Sequence, residues 1–264
     1  MITALDRIKI KVGDVTAAVS ATERLLARVG LVAEDEAAFG LDNVTLELAL
    51  SDDGAAGLAA LTFEVADIDA ASRACERGAL KPGAPVAFAE SGVNGAFREG
   101  CHFDLDIAAT HGVHVTLAAF AKYERSARRS KSIADGAVTG LDHVVIRTTH
   151  PNRAAALYGA RLGLDMRLDR TAPEWGARLM FFRCGDLIVE IVHNLKDEPS
   201  DAPDQLWGLS WRVPDADTAQ ARLKSGGFDV SDIRPGRKPG TRVFTVRDKT
   251  LGIPTLLIEP SAAR

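Results

Sequence analysis

The sequence is short of cysteine, of long apolar runs and of net charge, and each shortage excludes a class of protein. Its three cysteines, Cys75, Cys101 and Cys184, are odd in number and widely spaced. They form no CxxC pair and no Cys/His ligand spacing, which argues against a disulfide framework and for a reducing compartment with buried thiols. No run of about 18 apolar residues exists that would span a bilayer. The opening MITALDRIKIKV has no apolar signal region. Cytoplasmic localisation is therefore expected, with no membrane partner. Lys and Arg total 32 against 36 Asp and Glu, a formal net charge of −4, so nothing draws the chain towards nucleic acid or anionic lipid. The basic stretch 121–139 (AKYERSARRSKSIADGAVT) lacks interleaved aromatics and reads as an interdomain linker, not a nucleic-acid surface.

What is present is a repeat. At 264 residues and 46% apolar content, the chain is long enough for two ordinary cores. LDRIKIKV at residue 5 matches LDHVVIRT at residue 141, an offset of 136, and EVADIDAA at 64 matches RVPDADTA at 212, an offset of 148. VTLEL with LIVEI and GVHVTL with GIPTLL fall between these, in the same order. One duplication with small insertions accounts for all four.

Within each half, alternating strands and helical spacings follow one another. Strand 5–12, a helix from Val15 to Gly30, and strands near 31–36 and 44–50 make a first unit. A second unit has a strand at 58–65, a helix at 67–77, one strand near 85–89 followed by a long loop, and strands at 102–108 and 113–120. The pattern restarts at 141–148, with a helix over 152–162 and strands at 165–170, 177–183 and 187–193. It closes with 206–213, a helix at 215–225, and strands near 228–233, 241–247 and 254–259. The expected organisation is a first domain over 1–122, a linker over 123–139 and a second domain over 140–264.

These openings, in this order, resemble the vicinal oxygen chelate superfamily, which includes glyoxalase I, extradiol dioxygenases, methylmalonyl-CoA epimerase and the bleomycin-resistance binding proteins. LDHVVIRT followed by Ala-Leu-Tyr and Leu-Gly-Leu carries the resemblance most clearly. It implies an α+β fold: tandem βαβββ units paired into two curved, cup-like mixed sheets with helices on the outer face and any site on the concave side. It also implies a divalent metal (Fe, Mn, Ni or Zn) held from the first and last strands of paired units. Carried over, those positions are His143, Glu190, Gly208 and Leu256, so only His143 and Glu190 offer metal ligands. In the first half the same positions are Arg7, Glu47, Ala60 and Thr116; the carboxylate faces an arginine, and that half reads as structural.

Alternation gathers His143, Arg147, Glu190, Ser210 and Arg212 on the concave face of the second half. Glu190, desolvated by apolar neighbours, is the candidate base, with His143 as its acid or orienting partner. Arg147 and Arg212, with Ser210, are candidate substrate contacts, the arginines as a clamp for a carboxylate. Trp211 is expected in the core, Trp207 and Trp175 near a rim, and His193 off the site. His150 is expected as helix-start chemistry, and loop 234–240 as a solvated loop. The expected function is a glyoxalase- or dioxygenase-like enzyme acting on a small oxygenated or carboxylated molecule. The alternatives are a metal-free binding protein of the bleomycin-resistance type and a purely structural interior. A homodimer is compatible with either functional reading.

Overall fold

The structure, a computed structural model, describes residues 1–52, 54–91, 97–123 and 129–261. Two halves share one topology. In the first, β1 (Ile2–Val12) leads through α1 (Val15–Leu26) to β2 (Leu31–Val32), β3 (Glu36–Gly40) and β4 (Thr45–Leu50). Then β5 (Gly57–Val65) leads through α2 (Ile68–Arg77) to β6 (Val86–Ser91), β7 (Phe97–Asp104) and β8 (His114–Tyr123). In the second, β9 (Gly140–Arg147) leads through α3 (Pro151–Ala155) to β10 (Asp165–Ala172), β11 (Ala177–Cys184) and β12 (Leu187–Asn194). Finally β13 (Gln205–Arg212) leads through α4 (Ala216–Ser225) to β14 (Arg234–Pro235), β15 (Arg242–Val246) and β16 (Thr255–Glu259).

The strand orders are β2-β3-β4-β1-β5-β8-β7-β6 and β10-β11-β12-β9-β13-β16-β15-β14, the same position for position. Each sheet is mixed. The central strands β1 and β5, like β9 and β13, run antiparallel, and each runs parallel to its other neighbour. The helices start on a repeated device. Asp14, Asp67 and Asp215 accept from the backbone N–H three residues on, at 2.9, 2.8 and 2.7 Å, satisfying an otherwise orphaned donor. The buried face of α1, from Val15 through Leu26, then packs against β3 and β4. Trp211 is fully buried, as its strand position predicts.

Four segments differ from the pattern reading. β7 starts at Phe97, inside the stretch expected to be a long loop before a strand at 102–108, and 36–40 form the separate strand β3. Residues 228–233 make only an isolated bridge, Val230 with Val246. Side chains take up the backbone there: Gln220 donates to the Ser231 carbonyl at 2.7 Å, and the Ser231 hydroxyl accepts from Thr245 N at 2.9 Å. The third helix is α-helical only to Ala155. Ala156–Arg161 widens into a π-turn, with Leu162 N reaching Leu157 O at 2.9 Å, and keeps Leu157, Tyr158 and Leu162 buried.

The halves are tied by backbone-directed side chains. Arg161 donates to the carbonyls of Gly78, Ala79 and Ala109, a cation placed where a helix end needs one. Arg222 donates to Arg24 and Leu25, and Asn43 pairs with both backbone groups of Leu141. Residues 129–139, read as linker, lie along the first half, where Arg28 binds the carbonyls of Ser130 and Val138. The remaining part of that segment, 124–128, lies outside the described residues.

Candidate active site

The centre of the second cup is set by a defect in its sheet. Along the β9–β13 ladder Ser210 opposes His143 and Trp211 opposes Leu141, so Asp142 is skipped. Such a bulge re-aims a side chain that strict alternation would send to the other face. Asp142 consequently meets its own neighbour: its Oδ2 lies 3.1 Å from His143 Nδ1. On the far side of the ring, His143 Nε2 lies 2.6 Å from Ser210 Oγ and 3.2 Å from Glu190 Oε2. Donation from Nδ1–H to Asp142 leaves Nε2 as the acceptor for the Ser210 hydroxyl. The first cup carries the same defect. Leu5 opposes Phe63 and Arg7 opposes Thr62, skipping Asp6, and Asp6 there bonds Arg98 and Tyr123.

Equivalent carboxylates in the two cups are tuned in opposite directions. Glu47 sits between Arg7, at 2.5 Å, and Lys9, at 2.7 Å. Burial raises its pKa, but the two cations outweigh burial and hold it below the usual carboxylate range. Glu190 occupies the matching place on β12, buried, with His143 as its one ion-pair partner among the described residues. Burial pushes its pKa up, helped by Asp142 and opposed by His143 and Arg237. For Asp142 itself burial also raises the pKa, yet its contacts with His143 and Arg212 prevail and keep it low. The second cup thus holds two neighbouring carboxyls pushed apart, the arrangement that separates acid from base.

Residues 142–245 match the family model of the glyoxalase/bleomycin resistance protein/dioxygenase superfamily. Among solved structures, the chain is similar to the Mn(II)-bound glyoxalase from Novosphingobium aromaticivorans, at 15% identity and a TM-score of 0.71, over 98% of this chain and 82% of that one. It is also similar to a 2,2',3-trihydroxybiphenyl 1,2-dioxygenase from Sphingomonas wittichii (16%, TM-score 0.70, 98% and 91% covered). A catechol 2,3-dioxygenase gives 15%, a TM-score of 0.69 and coverage of 100% and 95%. The fold is that of the vicinal oxygen chelate superfamily. No curated protein matches the sequence.

A vicinal oxygen chelate site implies a divalent metal, and the residues here do not fit one. His143 and Glu190 do come together, but a protein-held catalytic metal ordinarily needs three protein ligands. The third and fourth positions are Gly208, whose absent Cβ would meet the Pro254 carbonyl at 3.0 Å, and Leu256. No group of three or more His, Cys, Asp and Glu side chains suited to a metal exists among the described residues. The ring nitrogen a metal would use is instead bonded to the Ser210 hydroxyl.

The arginine clamp expected from alternation does not form. Arg212 opposes Gly140 while Arg147 opposes Gln205, so seven residue steps along β9 separate the two arginines, on the order of 20 Å at strand rise. The bulge at Asp142 turns Arg212 onto Asp142, at 3.2 Å, and Asp186, at 2.8 Å. Arg147 instead stacks over the Trp207 ring, 5.3 Å from its centroid, with no acidic partner among the described residues. His193 is buried and bonds the Thr148 carbonyl, and His150 caps α3, as their positions predict. Asp142 was missed because alternation hides a bulge; the repeated Leu-Asp before Arg7 and His143 was its only trace.

Loop 234–240, expected to be a solvated loop, also reaches this cup. Arg237 lies 4.1 Å from the centroid of Trp175, whose ring also carries Arg170 at 4.7 Å. Trp175 follows β10 and Arg237 follows β14, the two edge strands of the sheet, so the contact joins opposite rims. Arg237 also lowers the pKa of Glu190. Arg237→Ala removes that opposition, and the Glu190 carboxyl will titrate at higher pH than in the parent. Carboxyl ¹³C NMR titration checks this, and an unchanged midpoint overturns it.

Proposed function

We propose that the second cup is an acid–base site that moves a proton on a small oxygenated or carboxylated molecule, in the manner of a glyoxalase- or dioxygenase-like enzyme. The opposite tuning of Glu47 and Glu190 at equivalent positions carries this reading. Ion-paired Glu47 is fixed as an anion, whereas Glu190, buried beside one imidazole, is suited to take and return a proton alpha to a carbonyl. His143 relays that proton, held in one orientation by Asp142. The Ser210 hydroxyl donates to it and supplies a hydrogen bond to a developing oxyanion once the ring is protonated. Arg147 and Arg237, each stacked on a tryptophan, are the anion contacts in place of the expected clamp.

The runner-up, a metal-free binding protein of the bleomycin-resistance type, is favoured by Gly208 and Leu256 at the missing ligand positions. A panel of α-hydroxy acids, α-keto acids, diketones and catechols separates the two, assayed before and after chelation and reloading with Fe, Mn, Ni or Zn. Turnover that survives chelation is the expected result. Saturable binding without turnover selects the binding protein, and turnover restored only by a reloaded metal overturns the metal-free mechanism.

A further inference from the structure

The first cup, read from sequence as structural, holds an open-mouthed cavity of about 400 Å³, a size that holds a small organic ligand. Its ionic groups fall into two sets. One is a continuous chain: Lys9 to Glu47 at 2.7 Å, Glu47 to Arg7 at 2.5 Å, Arg7 to Glu90 at 3.4 Å, Glu90 to Arg98 at 2.5 Å and Arg98 to Asp6 at 3.4 Å. Three cations and three anions cancel formally along it. The other is Asp104, whose carboxylate accepts from Thr116 Oγ1 at 2.5 Å and has no cationic partner among the described residues. The lining therefore keeps one uncompensated negative charge.

Aromatic surface stands in the same cavity. Phe88 and Phe120 meet edge to face, 5.7 Å between centroids, and His102 lies 5.8 Å from Phe88. Ring faces and an unpaired carboxylate together favour a cation carried on an apolar body. One further donor points to a polar group elsewhere on that body. Nε of the buried Arg98 has no hydrogen-bond partner among the described residues.

We infer that the first cup is a second small-molecule site, distinct from the His143–Glu190 centre, that binds an aromatic ammonium compound. The ammonium is held by Asp104, the ring by Phe88 and Phe120, and an oxygen substituent by Arg98 Nε. The two cups then select opposite charges: Arg147 and Arg237 border the second, Asp104 the first.

Isothermal titration of the full chain with tyramine tests this, with 4-hydroxyphenylacetate as the probe of similar ring and opposite charge. Saturable one-to-one binding of tyramine is expected, at least ten-fold tighter than the carboxylate. Asp104→Asn should weaken it ten-fold or more, and Ala60→Phe, which fills the cavity, should abolish it with circular dichroism unchanged. Binding in Glu190→Gln should equal the parent. No saturable binding of tyramine, phenethylamine or benzyltrimethylammonium overturns the inference. So does equal affinity for the two charges, or indifference to Asp104→Asn, and loss of binding in Glu190→Gln would move the ligand to the second cup.

Discussion

Glu190→Gln is expected to lower turnover by about 10²–10⁴-fold while making the protein more stable at neutral and alkaline pH. Few substitutions combine those directions, and the combination follows from one fact. A carboxyl buried beside a single imidazole has its folded pKa raised, so the folded state holds the proton to higher pH than the unfolded chain does. Its contribution to stability is full below the unfolded pKa of about 4.5 and is lost as pH rises through the folded value. The amide carries no such cost. The gain in stability over the parent should be small at pH 4 and grow towards pH 8, reaching about 0.5–2 kcal/mol.

Glu47→Gln supplies the opposite sign. Its folded pKa is lowered, so its stabilisation is present above 4.5 and is lost as pH falls through the folded value. The variant should lose about 1–3 kcal/mol at pH 7, because a buried charge-assisted network is broken. Thermal melts of both variants from pH 4 to 8 give two difference curves. Curves that run parallel would mean that the two carboxylates are not differently tuned, and the acid–base assignment would fall with them.

Periodicity made most of the fold legible, because a duplicated βαβββ pattern repeats the same caps and the same alternation. LDRIKIKV and LDHVVIRT sit at the same place in identical strand orders, and His143, Glu190 and Ser210 do converge as alternation requires. It failed where the backbone leaves its period. The bulge at Asp142 both added an acid to the site and turned Arg212 away from it. The bulge at Asp6 likewise places an acid in the cavity of the first cup. The Arg237–Trp175 contact joins residues far apart in the chain from the two edges of one sheet, and no local pattern encodes which edges a curved sheet brings together. The cavity of the first cup was hidden for a similar reason. Alternation shows which side chains face inward, not how much space their ion pairs leave unfilled.

Gly136 is the sharpest case of a structural demand concealed in a segment that looked like plain linker. Its φ is +68°, a region costly to residues with a Cβ, and an added Cβ would lie 2.7 Å from Ala219 N, 2.8 Å from Ala219 Cα and 2.9 Å from Thr218 C. Those are backbone atoms of α4 and cannot swing aside. Gly136→Ala therefore meets two penalties, about 1–2 kcal/mol for the left-handed conformation and about 1–3 kcal/mol for overpacking. The expected loss is about 2–5 kcal/mol. Gly163 isolates the first penalty, since its φ is +74° and no atom lies within 4 Å of the position a Cβ would take. Gly163→Ala should cost only the conformational part. Urea unfolding of both variants measures the difference, which is the contribution of close contact between the 129–139 segment and α4. If the two midpoints shift equally, that contact is not tight and the segment is the loose connector its composition suggested. A larger shift for Gly136→Ala means that the connector is part of the packing that holds α4 against its sheet.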